Sequence, residues 1–445
     1  MTAYDFLIFI FFCNFIIKKE VLKEEFLHYV WKYKLFSLTN LQTVSKESVH
    51  IFKEGMHNRN SGPDFLNAQI RMDHQLWIGN VEIHLKSSDW YLHHHEKDEK
   101  YDAVILHVVW EHDSAIFMKN NKPLPTLVLK NLVDKNLIHN YQQLCSHQSR
   151  WIPCESQINW VDDFTLKNWL ERLFFERLER KSNFINGLLE KNHADFEAVL
   201  FCLLAKNFGL KLNGDAFLAL AESIDFSIIR KEQSAEKSFT ALLFGQAGFL
   251  EAVSEEEYYR ELKREYEYLQ HKYHLTPISK NQFQFFRIRP TNFPTIRMAQ
   301  LVSLYHQHKN LFSKLISINK IDDFYTLFSV EVNEFWKTHY SFDSPSKRSL
   351  KKLSKSFIDL LIINTIIPLK FVYQMHRNQI DENELIHLIK QLKPERNSII
   401  SRFNNLHIES ESAFDTQALL ELKNNYCASK RCLECAIGSK ILYRI

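Results

Sequence analysis

The sequence predicts a small mixed α/β sheet domain followed by a large all-helical region. Three observations predict it. Apolar residues recur at helical spacing over residues 20–35, in short strand-like segments, alternating or continuous, between 49 and 129, and almost only at helical spacing beyond about 130. In the first helix, Leu22, Phe26, Val30 and Tyr33 share a face. Strands follow at 49–52, 65–72 and 76–86, the last two joined by a turn at Asp73 and His74. A polar loop, SSDWYLHHHEKDEKYD, leads to an apolar strand at 103–112, and TLVL at 126–129 reads as another. A helix, three strands, a crossover and further strands make a mixed sheet. Helical patterns then cover 164–189, 195–208, 239–250, 255–273, 296–315, 321–340, 356–373 and 382–391, with breaks at Pro153, Pro290, Pro294 and Pro345. No fixed-period repeat supports a solenoid.

The expected organisation is an apolar extension at 1–19, the α/β domain at 20–135, a linker at 136–160, the helical region at 161–400 and a cysteine-bearing segment at 401–445. The run FLIFIFFCNFII near the start is shorter than the ~20 residues that span a bilayer. It lacks a basic region before it and a small-residue cleavage site after it. It reads as a signal anchor, an upstream extension or a buried element, and no stable membrane association is expected.

The 445 residues carry a formal charge of +3, so nucleic-acid contact has to come from local patches. Gly is scarce at 9, and neither a P-loop nor a dinucleotide-binding glycine pattern occurs. Seven Cys in so long a chain do not make a secreted disulfide framework, and a reducing cytoplasm fits them better.

The strongest chemical signal is Gly62-Pro63-Asp64 followed by Glu82-Ile83-His84-Leu85-Lys86. Alternation along a strand points Glu82, His84 and Lys86 the same way, and Asp64 heads the preceding antiparallel strand. Two carboxylates there are hard oxygen ligands for a divalent cation. Nine of the 21 His lie between His50 and His112, and three ionisable groups on one strand face are costly unless they serve a site. His93, His94 and His95, with Asp89 upstream, form either a solvated loop or a phosphate or second-metal site. His107 inside an apolar strand is ordinarily a hydrogen-bonded structural residue, and otherwise an accessory to the site.

These residues resemble the PD-(D/E)xK phosphodiesterase superfamily, with Glu24 or Glu25 of the leading helix where many members keep a further acid. The resemblance implies a magnesium- or manganese-dependent nuclease acting on DNA or RNA, with Asp64 and Glu82 as metal ligands. The chain departs where the superfamily has Lys: His84 stands there, and Lys86 comes one same-face step later. Either His84 takes the Lys role, Lys86 reaches back, or the site is degenerate and the protein is a non-catalytic nucleic-acid-binding or assembly protein. Stretches including NSGPDFLNAQI, GNVEIHLKSSDW, RPTNFPTIRMAQ and CLECAIG are also similar to a bacterial family of unknown function, over nearly everything after residue 20.

Two further features stand outside that constellation. In SKRSLKKLSKS, Arg348, Lys351, Lys352 and Lys355 would share one helical face, either a stripe for phosphates or a solvated surface. Arg287, Arg289 and Arg297 form a second cationic knot. At the C-terminus, Cys427, Cys432 and Cys435 suit a structural zinc or an iron–sulfur cluster, with Cys154 as the expected fourth ligand; packed thiols are the alternative.

Overall fold

The computed structural model describes residues 22–145 and 150–443, so the apolar run at the start of the chain lies outside the described residues. The chain divides into two compact units, one built from residues 1–169 and 422–445, the other from 170–421.

The first unit is the mixed sheet. Helix α1 (Glu24–Lys32) buries Phe26, Leu27, Val30 and Trp31, and places acids in its first turn and Lys32 in its last. It ends where Lys34 turns to φ 52° and the Leu35 N–H returns to the Val30 carbonyl, a left-handed stop that a helical pattern running to residue 35 does not reveal. The strands are β1 (Val49–Lys53), β2 (Met56–His57), β3 (Phe65–Met72), β4 (Gln75–Lys86), β5 (Val104–Glu111) and β6 (Thr126–Val128). Their order is β1-β3-β4-β5-β6, with β2 also on β3. The pairs β1/β3 and β3/β4 are antiparallel, whereas β4/β5 and β5/β6 are parallel. Helix α1 packs against β4. The β4–β5 crossover carries a one-turn helix, α2 (Asp89–Leu92), whose Trp90 anchors a buried cluster with Tyr101, Val104, Ile116 and Leu124. Residues 136–160 carry most of a helix at Lys135–Cys145 and a short 3-10 turn at Ile158–Trp160.

One irregularity positions the site. The β3/β4 register runs Met72↔Gln75 to Ala68↔Gly79 and then slips to Phe65↔Val81. Asn67, at φ 58°, is the extra residue, and its N–H bonds to the Asn80 side chain at 3.2 Å. Without this bulge Asp64 would fall opposite Ile83; with it, Asp64 falls opposite Glu82, on the same face.

The second unit is helical. Helix Phe196–Phe208 is buried on nearly every side and capped by Asp195, which accepts from the N–H groups of Glu197 and Ala198. Phe201, Phe208, Phe217, Phe239, Phe244, Tyr305 and Trp336 are fully buried. Gly245 allows close helix contact, since a Cβ there would stand 2.0 Å from Tyr266 Cγ. The stretch Lys355–His376 is long and apolar enough to cross a membrane by length and composition, yet 72% of its apolar window is buried in the protein. It is interrupted by a π turn at Ile362–Ile366, just before Pro368, which cannot donate to the helix ladder; Arg177 bonds the Ile363 carbonyl at 3.2 Å.

Helices at Leu210–Glu222, Phe226–Glu232, Ser398–Asn405 and Ala413–Glu421 join those expected. The expected helix over 321–340 is instead two, Ile321–Leu327 and Glu334–Thr338, because Asn333 caps a new start by accepting from the Trp336 N–H. The basic stretch before Lys355 is not helical: Ser354 caps a helix that begins only at Lys355, and Lys351 sits at φ 44°.

Candidate metal-binding site

Four elements converge at the end of β3. The Asp64 N–H donates to Glu82 Oε2 at 3.1 Å, and the Ile83 N–H donates to Asp64 Oδ2 at 2.9 Å, so the two acids are locked side by side. Glu82 is 4% exposed. Burial, and then the neighbouring Asp64 charge, push its carboxyl well above the usual range. Helix α1 adds Glu24 and His28, one turn apart on the same face. His28 Nε2 lies 3.2 Å from Asp64 Oδ2, close enough for an ion pair though misaligned for a hydrogen bond. Burial lowers the His28 imidazole pKa, but Asp64, Glu24 and Glu82 more than offset this and hold it up. Burial raises Glu24 to about 7.

On the other side of Glu82 stands a histidine cluster. Glu82 Oε1 lies 3.3 Å from His95 Nε2 and 3.6 Å from His84 Nε2. His84 Nε2 is 3.2 Å from His93 Nδ1, and its Nδ1 is 2.8 Å from His107 Nε2. His84, His93 and His95 each offer a ring nitrogen, and these atoms all lie within 4.8 Å of one another. His95 stacks on Tyr101 with ring centroids 3.8 Å apart. His84 and His107 are enclosed, and burial first, then the neighbouring imidazoles, lowers them to about 2 and about 3. Both are neutral at physiological pH.

Of the residues singled out in the sequence, Asp64, Glu82, His84 and His107 come together. Lys86 does not join them: it ends β4 with an exposed side chain, and its N–H bonds Asp89. Glu25 is exposed and turned toward Tyr141 and Cys145, so Glu24 is the acid facing the site. His28 was missed, although its spacing of four from Glu24 is a legible signal. His93 and His95 fold back because the one-turn helix α2 reverses the chain, with the His95 N–H on the Trp90 carbonyl.

The four basic residues at 348–355 are engaged internally. Arg348 pairs with Glu334 at 2.7 Å and Lys352 with Glu331 at 2.9 Å. Lys351 is buried and donates to the carbonyls of Trp336 and His339, both at 2.6 Å. Lys355 lies over the Tyr325 ring. Arg297 is likewise buried, bonding Asn292 and Gln300.

Cys154, Cys427, Cys432 and Cys435 line one small pocket with Pro153, Tyr426 and Gly438. The backbone N–H groups of Ile437 and Gly438 face the Cys435 sulfur, and the Trp169 indole, otherwise unpartnered at nitrogen, acts on the same atom. Gly438 lies so close to the Cys432 carbonyl that a Cβ would stand 2.0 Å from its oxygen. Among the described residues the histidine trio is the tighter donor group.

No curated protein and no solved structure matches the chain significantly. The family described as "Protein of unknown function (DUF2851)" matches over residues 24–398, most of the chain, and the protein belongs to that family.

Proposed function

We propose that the protein is a divalent-metal-dependent phosphodiester hydrolase acting on DNA or RNA, with Asp64 and Glu82 as the carboxylates that hold magnesium or manganese. The observation that carries this reading is the bulge at Asn67, which sets the two acids opposite each other on one sheet face. Oxygen ligands of this kind suit a hard divalent ion. A bound ion would polarise a phosphate and acidify water. Glu24, held near 7, is the carboxyl suited to take and return a proton near neutrality. His84 occupies the water-positioning place in the superfamily pattern and stands 3.6 Å from Glu82 Oε1, whereas Lys86 faces solvent. That departure favours the second reading, a non-catalytic nucleic-acid-binding or assembly protein with a degenerate site. Single- and double-stranded DNA and RNA incubated with magnesium or manganese separate the two. The hydrolase reading expects cleavage that Asp64→Asn and Glu82→Gln each abolish while the far-UV dichroism is unchanged. Full cleavage by either variant sinks it.

The thiol pocket supports a structural metal in the same protein, zinc first and an iron–sulfur cluster second. Cys154, Cys427, Cys432 and Cys435 would close on the ion, with backbone N–H groups already facing one sulfur. The free thiols suit a reducing cytoplasm. Elemental analysis of freshly purified protein, with visible absorbance under anaerobic conditions, tests this. Neither zinc nor iron would leave four packed thiols.

A further inference from the structure

We infer a nitrogen-rich transition-metal site formed by His84 Nε2, His93 Nδ1, His95 Nε2 and Glu82 Oε1, taking a borderline divalent ion of the zinc, cobalt or iron(II) class. It deepens the proposed function and rests on that reading's use of Glu82 as a metal carboxylate. It differs in placing the ion on the histidine side of Glu82.

The argument begins with which oxygen is free. Glu82 Oε2 accepts from the Asp64 N–H, and so the oxygen open to a ligand partner is Oε1. That atom faces the imidazoles at 3.3 and 3.6 Å, and the nearest imidazole pair is 3.2 Å apart. Tetrahedral zinc with bonds of about 2.0–2.1 Å sets its ligand atoms about 3.3 Å apart. A hydrogen-bonded chain of imidazoles explains one close pair at a time. It does not explain three ring nitrogens gathered within 4.8 Å of one another with a buried carboxylate oxygen beside two of them.

The supporting residues fit the same purpose. His107 holds His84 Nδ1 at 2.8 Å, which fixes the ring and turns Nε2 toward the cluster. Tyr101 and Trp90 hold the His95 ring by stacking and edge contact. Three imidazoles and one carboxylate prefer zinc, cobalt or iron over magnesium, which takes oxygen ligands and sheds its water reluctantly. His94, between the two loop ligands, points elsewhere and is exposed.

Cobalt is the probe, titrated into metal-stripped full-length protein with millimolar magnesium present. Its visible d–d absorption reports tetrahedral nitrogen and oxygen ligation, and a near-ultraviolet charge-transfer band reports any cobalt on the thiols. The expected result is a d–d band without the thiolate band at the first equivalent. His93→Gln and His95→Gln should each weaken that binding by at least about tenfold, the low end of the loss on removing even a supporting residue. His94→Gln should leave it unchanged. His93 is on an exposed loop, so its replacement does not threaten the fold. Binding that is unaltered in both His93→Gln and His95→Gln, or that magnesium abolishes, overturns the site. So does first-equivalent binding that shows only the thiolate band. Cobalt binding without hydrolysis would uphold this site and sink the hydrolase reading, whereas magnesium-driven hydrolysis without cobalt binding would do the reverse.

Discussion

Glu82→Gln in metal-free protein tests the electrostatics of the site most directly. The buried Glu82 carboxyl is held protonated by its enclosure and by Asp64, while an unfolded chain ionises it near pH ~4.3. The fold therefore keeps a proton that the unfolded chain has released. The stability linked to that proton is fully present below the unfolded pKa and is lost as pH rises toward the folded one, by up to about 1.4 kcal/mol per pH unit. His84 and His107, lowered to about 2 and about 3, act in the opposite sense. Their contribution is lost as pH falls below about 6.5 and is flat above it. Glu24, raised to about 7, has largely ionised above that pH. Asp64 and Glu24, the groups that chiefly hold His28 up, are present in both proteins, so its contribution largely cancels. The window from about pH 7 to 9 thus isolates Glu82. A domain of about 150–250 residues shifts its melting temperature by about 2–4 °C per kcal/mol. Wild type should lose up to about 3–6 °C per pH unit relative to Glu82→Gln, most steeply near pH ~7 and about half as steeply near pH ~9 as the carboxyl itself ionises. The assay is thermal unfolding by circular dichroism in chelator at half-unit steps of pH. Parallel curves for the two proteins would refute a buried, protonated Glu82, as would a variant less stable than wild type at the alkaline end.

Three other outcomes are expected. Lys86→Ala should leave any phosphodiesterase rate within about twofold of wild type, because the ammonium faces solvent; a loss of tenfold or more in single-turnover assays would put Lys86 back in the site. Gly438→Ala should lower any zinc or iron content found by elemental analysis, since its Cβ would press on the Cys432 carbonyl and open the thiol pocket; unchanged metal would detach that turn from metal binding. Gly245→Ala should destabilise the helical unit by about 1–3 kcal/mol in urea unfolding, the ordinary range for overpacking, because Tyr266 would have to move; an unshifted midpoint would mean that the helices separate easily.

Read alone, the sequence determined the class of the fold and most of its elements. Alternating segments became β1, β3 and β4, continuous apolar runs became β5 and β6, and helical periods became the second unit, because the faces an element buries leave their pattern in the order of the residues. Asp64, Glu82 and His84 were legible as a group for the same local reason. Tertiary structure decided the rest. The bulge at Asn67 sets which residue opposes Glu82, and a slip of one residue exchanges sheet faces without changing the pattern of apolar residues. The return of His93 and His95 depends on Trp90 burying itself in a core gathered from distant residues. Lys351, read as part of a basic stripe, is drawn inward by the carbonyls of Trp336 and His339, twelve or more residues away in the chain. The C-terminal thiols reach Cys154 because residues 422–445 pack with the first unit. In each case the deciding contact joins segments that no local period links, so its energy is set by the packed fold and leaves no mark on neighbouring residues.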